Sequence, residues 1–159
     1  MNSTSKYVVI TAMFLGLFAT ATPEAEAAPT LRSKAMASAV TQKGAKYVPG
    51  AEGGYSKGYD CSGLTYWSYK QHGKTLPRTA QAQYDKSKKI SSRDRKPGDL
   101  IFIRDARGRV FHVGIYTRNI NGKGYMVNAN SGPYRGYKVV EAPIAEYTAG
   151  SASGVIGRY

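Results

Sequence analysis

Cysteine is almost missing from this 159-residue chain: Cys61 stands alone. One thiol excludes an internal disulfide framework and any zinc site built from several cysteines. Histidine is nearly as scarce, with only His72 and His112, so chemistry that needs an imidazole has two candidates. Acidic residues are few, 10 against 23 Lys and Arg, giving a formal net charge of +13. Such a field selects polyanionic partners: nucleic acid, an anionic membrane or an anionic cell wall. The 18 glycines and 7 prolines follow no fixed period, which excludes collagen-like and coiled-coil architecture. No apolar run reaches the roughly 20 residues of a membrane-spanning helix. With 42% hydrophobic and 21% charged residues, what is present is an ordinary globular mixture with room for one domain.

The longest apolar stretch, Val8 to Ala21, follows Lys6 and precedes Ala25-Glu26-Ala27, a small-x-small cleavage pattern. Residues 1–27 therefore read as a secretory signal peptide, and 28–159 as a single mature domain without a stable membrane anchor. Removing the signal leaves 22 basic against 8 acidic residues, or +14. Export moves the expected polyanion from nucleic acid to a cell envelope.

The mature chain changes period once. Leu31 to Ala45 has helical spacing, and Asp60 reads as the N-cap of a helix from Cys61 to about His72, stopped by Gly73. Leu64, Tyr66 and Trp67 are the expected buried face of that helix. Pro77-Arg78-Thr79 opens a third helix ending near Lys86. From residue 100 onward short strands are predicted at 100–104, 110–117, 125–129, 138–142 and 155–159, divided by turn-forming residues. Helices first and antiparallel strands after describe an α+β domain.

Cysteine acts as a nucleophile only as thiolate, so its ordinary pKa has to be lowered for work near neutrality. At a helix start Cys61 meets the positive end of the dipole, and the free amides there are suited to an oxyanion. His72 lies eleven residues further along the same helix, roughly 16 Å away at 1.5 Å per residue, and cannot serve it. If a Cys–His pair exists, its base is His112, in the strand Phe111-His112-Val113-Gly114-Ile115-Tyr116. A third polar group usually orients such a histidine. Asn128 is the candidate, with Asn130 as the fallback.

The runs Tyr59-Asp60-Cys61-Ser62-Gly63-Leu64, Leu76-Pro77-Arg78-Thr79 with Gln83, Pro97-Gly98-Asp99-Leu100-Ile101-Phe102 and His112-Val113-Gly114-Ile115-Tyr116 resemble the NlpC/P60 family of cell-wall cysteine peptidases. The likeness spans about Ala35 to Ala142. It implies a papain-like α+β fold, N-terminal helices packed on an antiparallel sheet, and cleavage of peptidoglycan stem peptides between D-γ-glutamyl and a diamino acid. Carried over by motif, Cys61 corresponds to the nucleophile and His112 to the general base. Asp60 and Ser62 flank the nucleophile and shape the substrate subsite, and Tyr47 matches an upstream tyrosine of that pocket. The segment after Tyr47, Val48-Pro49-Gly50-Ala51, departs from the family's usual form, and Asn128 stands where the family most often has histidine.

Arg78 has two readings: a grip on a stem-peptide carboxylate, or a structural pair with an acidic residue near the helix start. Lys86, Lys88, Lys89, Arg93, Arg95 and Lys96 are expected on solvated faces that hold the protein on anionic wall polymers. The expectation is thus a secreted or wall-associated monomer that needs no metal or organic cofactor and takes no nucleic acid. Two rivals stand beside it: an inactive wall-binding module on the same fold, and a related Cys–His amidase or acyltransferase.

Overall fold

A computed structural model describes residues 28–132 and 135–159. The expected signal peptide lies outside the described residues.

Three helices lead: α1 (Leu31–Thr41), α2 (Cys61–Lys70) and α3 (Ala80–Lys86). Each begins on a side-chain cap, from Thr30, Asp60 and Thr79 respectively, which satisfies an amide that has no partner within the helix. All three end or start inside the expected bounds. Helix α1 stops at Thr41 because the chain turns at Gly44, which has a φ of +94°. Helix α3 starts at Ala80 after its cap Thr79, whose hydroxyl accepts from the Ala82 N–H, rather than at Pro77.

Six strands follow: β1 (Lys88–Ile90), β2 (Leu100–Arg104), β3 (Val110–Ile120), β4 (Lys123–Asn130), β5 (Lys138–Pro143) and β6 (Ser153–Arg158). They form one antiparallel sheet in the order β1-β6-β2-β3-β4-β5, with β6 inserted between β1 and β2. Strand β1 was not anticipated, since two of its three residues are exposed lysines.

Both faces of the sheet are covered. Leu100, Phe102, Val113, Ile115, Val127 and Ala129 pack against the helices. Ile101, Ile103, Tyr116, Met126 and Ile156 form a second core, covered by Ile144 and Tyr147 from a 3₁₀ turn (Ile144–Tyr147) and by Ala152. That double burial is why β2 reads Leu-Ile-Phe-Ile without polar alternation. The α+β expectation, helices on an antiparallel sheet, is what the chain adopts. On α2 the fully buried side chains are Leu64, Thr65, Ser68 and Tyr69, whereas Tyr66 and Trp67 are only half-buried.

The two ends of the domain meet at Asp99. Its carboxylate is fully buried and accepts from Arg32 Nη1 on α1 (2.7 Å), from Arg158 Nε and Nη2 on β6 (both 2.7 Å) and from the Lys96 N–H (2.8 Å). Burial raises its pKa, but the donors from Arg158, Lys96 and Arg32 outweigh it and leave the group below the usual carboxylate range.

Candidate active site

Asp60 caps α2 by accepting the Gly63 N–H at 2.6 Å. The same carboxylate accepts from Arg78 Nη1 (3.0 Å) and Nη2 (2.7 Å), from the Gly50 N–H (3.0 Å) and from Ser62 Oγ (3.3 Å). Arg78 also gives Nη1 to Ser62 Oγ (3.0 Å) and pairs its Nε with Glu52 at 2.9 Å. Of the two readings of Arg78, the geometry matches the structural pair at the helix start. Gly63 fits this junction because the Ala51 carbonyl oxygen occupies the place of a side chain, 2.0 Å from where a Cβ would stand. The Asp60 N–H donates to that same carbonyl. The loop before α2 is thereby fastened to its first turn, and Cys61 is fixed between them.

Where Cys61 points follows from strand alternation. The Tyr116 N–H bonds toward β2, to Asp99 O at 2.8 Å, so the Val113 N–H, three residues away, faces the β4 side. There the β3–β4 pairing has already ended at Ile115–Val127. The strands part, and Cys61 Sγ sits in the opening, where the Val113 N–H donates to it. His112 is the residue just before. The expected lowering of the thiol pKa is not what this environment produces. Burial raises it first and the Asp60 charge second, against the amides of Val113, Ser62 and Cys61 itself.

His112, Gly114 and Tyr116 alternate onto the sheet face away from the helices, and a Cβ at Gly114 would collide with Met126 and Asn128 on β4. The His112 ring is buried, and its Nε2 lies 3.0 Å from Asn128 Oδ1. A carboxamide oxygen can only accept, so Nε2 carries the proton and Nδ1 keeps the lone pair of a base. Burial holds the imidazole pKa down, to about 4, although the Asn128 hydrogen bond works the other way. At neutral pH both members of the pair are therefore uncharged. No hydrogen bond joins Sγ to the ring among the described residues, a looseness common in unliganded sites.

Asn130, the fallback, points elsewhere. Its Nδ2 donates to the carbonyls of Gly132 (2.8 Å) and Gly136 (2.7 Å), holding the loop after β4. Tyr47 stands beside the thiol, close enough for the Cys61 and Asp60 charges to act on its hydroxyl, which hydrogen-bonds Ser131. Tyr47, Asp60, Ser62 and Arg78 are thus brought together at the start of α2, with Ser62 and Arg78 turned inward on Asp60. His72 is remote, its Nε2 2.9 Å from Ser38 Oγ on α1.

One residue of this site has no counterpart in the sequence reading. Tyr147, on the 3₁₀ turn, lies parallel to the His112 ring, with centroids 5.1 Å apart and planes 2° from parallel. No local pattern marks it, because the contact spans 35 residues and depends on how the turn folds back. Among the described residues no group of three or more His, Cys, Asp or Glu could hold a metal ion.

With this geometry in view, the comparisons with known proteins are specific. The NlpC/P60 family pattern matches residues 44–151. The chain belongs to the NlpC/P60 family. It is 48% identical over 75 residues to a bifunctional muramidase/DL-endopeptidase of Bacillus subtilis, covering 46% of this chain and 22% of that one. It is 36% identical over 98 residues to a gamma-D-glutamyl-L-lysine dipeptidyl-peptidase of the same organism, covering 58% and 33%. Among solved structures, the peptidoglycan hydrolase RipB of Mycobacterium tuberculosis superposes with a TM-score of 0.65 at 25% identity, covering 80% of this chain and 64% of that one. RipD of M. tuberculosis, described as a non-catalytic NlpC/p60 domain adapted to peptidoglycan binding, shares the fold at 24% identity, with a TM-score of 0.63 over 81% of this chain and 97% of that one. The NlpC/P60 match spans less than a quarter of the Bacillus muramidase and a third of the dipeptidyl-peptidase.

Proposed function

We propose that this NlpC/P60 protein is an exported cysteine peptidase that hydrolyses the D-γ-glutamyl–diamino acid bond of peptidoglycan stem peptides. The observation that carries the reading is the His112–Asn128 pair, one residue along β3 from the Val113 N–H that donates to the Cys61 thiol, with Nδ1 left as the free base. The relatives named for DL-endopeptidase and γ-D-glutamyl-L-lysine activity support the choice of bond.

The mechanism starts from a neutral pair. Nδ1 of His112 takes the thiol proton as Sγ attacks the γ-glutamyl carbonyl, so charge separates during attack instead of standing preformed. Asn128 stabilises the imidazolium and keeps its orientation. The developing oxyanion lies at the start of α2, where helix amides without intrahelical partners are available. Protonated His112 then gives its proton to the leaving amine, and water, deprotonated by the same base, resolves the thioester. Tyr47 and Asp60 border the space a stem peptide would fill. Residues 1–27 serve as the export signal, and the excess of positive charge holds the mature domain on anionic wall polymers.

The test is mass spectrometry of muropeptides from purified peptidoglycan. The expected result is release of fragments cut after γ-glutamate, absent with Cys61→Ala. A second reading, a wall-binding module without turnover, has one observation on its side: burial leaves thiol and imidazole both neutral. It predicts wall retention with no new fragments from the unaltered protein, and that outcome would replace the first reading.

A further inference from the structure

We propose that Tyr147 is a positioning residue for the catalytic imidazole: its ring closes the second face of His112, and Asn130 and Arg135 hold it there. The inference rests on the reading of Cys61 and His112 as nucleophile and base.

Three contacts carry it. The rings lie parallel at 5.1 Å between centroids, so water reaches neither that face of the imidazole nor its hydrogen bond to Asn128. The Tyr147 hydroxyl donates to Asn130 Oδ1 at 3.1 Å, and the same Asn130 binds the loop carbonyls of Gly132 and Gly136. The neighbouring Glu146 forms an ion pair with Arg135 of that loop. The loop therefore grips both ends of the site: Ser131 hydrogen-bonds Tyr47 beside the thiol, while Asn130 and Arg135 fix the turn that carries Tyr147. A flat ring against an imidazole that must turn neither during proton uptake nor during release limits it to one orientation, which is what proton transfer from a fixed sulfur requires.

The groups around the ring are few. Asn128 approaches from β4, and Tyr147 with Glu146 and Arg135 from the turn and the loop; Cys61 of α2 is held by the N–H of the next residue, Val113, and on β2 the register partner is Ile103. The acid limb of activity therefore reports His112 and its shielding. Losing the Tyr147 ring admits water and raises the imidazole pKa from about 4 toward its ordinary 6.5.

The experiment measures kcat and KM for muropeptide release from pH 3.5 to 8 in the unaltered protein, Tyr147→Leu and Tyr147→Phe. In parallel, the His112 resonance is titrated by NMR in the Cys61→Ala background. Tyr147→Leu is expected to lower kcat at least tenfold, leave KM within twofold and move the acid limb and the His112 titration up by one pH unit or more. Tyr147→Phe, which keeps the ring and loses the hydroxyl's contacts with Asn130 and Asn128, is expected to retain the acid limb and at least a third of kcat. An acid limb and His112 titration unmoved by Tyr147→Leu would overturn the inference, as would a Phe variant as impaired as Leu. If the unaltered protein releases no fragments, the reading of the pair as catalytic fails, while the NMR titration still decides whether Tyr147 shields the ring.

Discussion

Arg78 closes a fork on Asp60, Nη1 on Oδ1 at 3.0 Å and Nη2 on Oδ2 at 2.7 Å. The carboxylate it neutralises stands next to Cys61 and disfavours the thiolate. A lysine offers one compact charge in place of the planar fork. Arg78→Lys is therefore expected to lower the rate of iodoacetamide alkylation at pH 8 by about twofold and Arg78→Ala by fivefold or more, with a stability loss of about 1–2 kcal/mol for Ala. Alkylation kinetics followed by intact mass would settle it, and equal rates in all three proteins would dissociate Arg78 from the thiol.

Asn128 fixes which nitrogen of His112 is basic. Replacing it with alanine frees the tautomer and the ring orientation. For Asn128→Ala, kcat for stem-peptide cleavage is expected to fall about 10- to 100-fold with KM within twofold. Steady-state kinetics on a purified muropeptide check this; a change confined to KM would move Asn128 from proton chemistry to substrate binding.

Stability should depend on pH through His112. Its folded pKa, about 4, lies below the ordinary 6.5, so between these values the unfolded chain binds a proton that the folded protein refuses. Stability is thus complete above pH 6.5 and declines as pH falls toward 4, by about 3 kcal/mol in all. Urea unfolding at pH 7 and pH 4.5 of the native protein and of His112→Gln measures it. The glutamine variant should lack most of the decline, because the lowered carboxylates, such as Asp99, act at lower pH and are common to both proteins.

Alanine is ordinarily preferred to glycine inside a helix by about 1 kcal/mol. At position 63 the preference should reverse, because the Ala51 carbonyl fills the side chain's place. Gly63→Ala is expected to cost about 2 kcal/mol and to impair cleavage, since the loop must move off the first turn of α2. A thermal melt at neutral pH reads the sign directly.

Much of this site was legible in the sequence because its signals are local. An aspartate before Cys61 and a stop at Gly73 announce a capped helix, and His72 is excluded by helix rise alone. The choice between Asn128 and Asn130 was not local. The two alternate onto the same face of β4; the register Ile115–Val127 puts Gly114 opposite Asn128, so the His112–Asn128 bond is a diagonal contact that forms where the strands part, while Asn130 runs on to the loop. Thiol energetics were misjudged for a related reason. A helix start lowers a cysteine pKa, but how deeply the sulfur is buried and how near Asp60 lies are tertiary quantities. Strand β1 escaped notice because Lys88 and Lys89 are exposed and carry no alternation; its partner β6 defines it. Tyr147 had no signal at all.

The contact of Asp99 with both Arg32 and Arg158 joins the first helix to the last strand. Strand β6 lies between β1 and β2, so a chain emerging amino end first holds a sheet with a missing middle until residues 153–158 appear. Until then β1 has nothing to pair with, and the buried carboxylate lacks one of its two guanidinium partners. Helix α2, made early, cannot be locked to a finished sheet before those residues arrive. Completion of this domain is therefore delayed until its last strand has arrived.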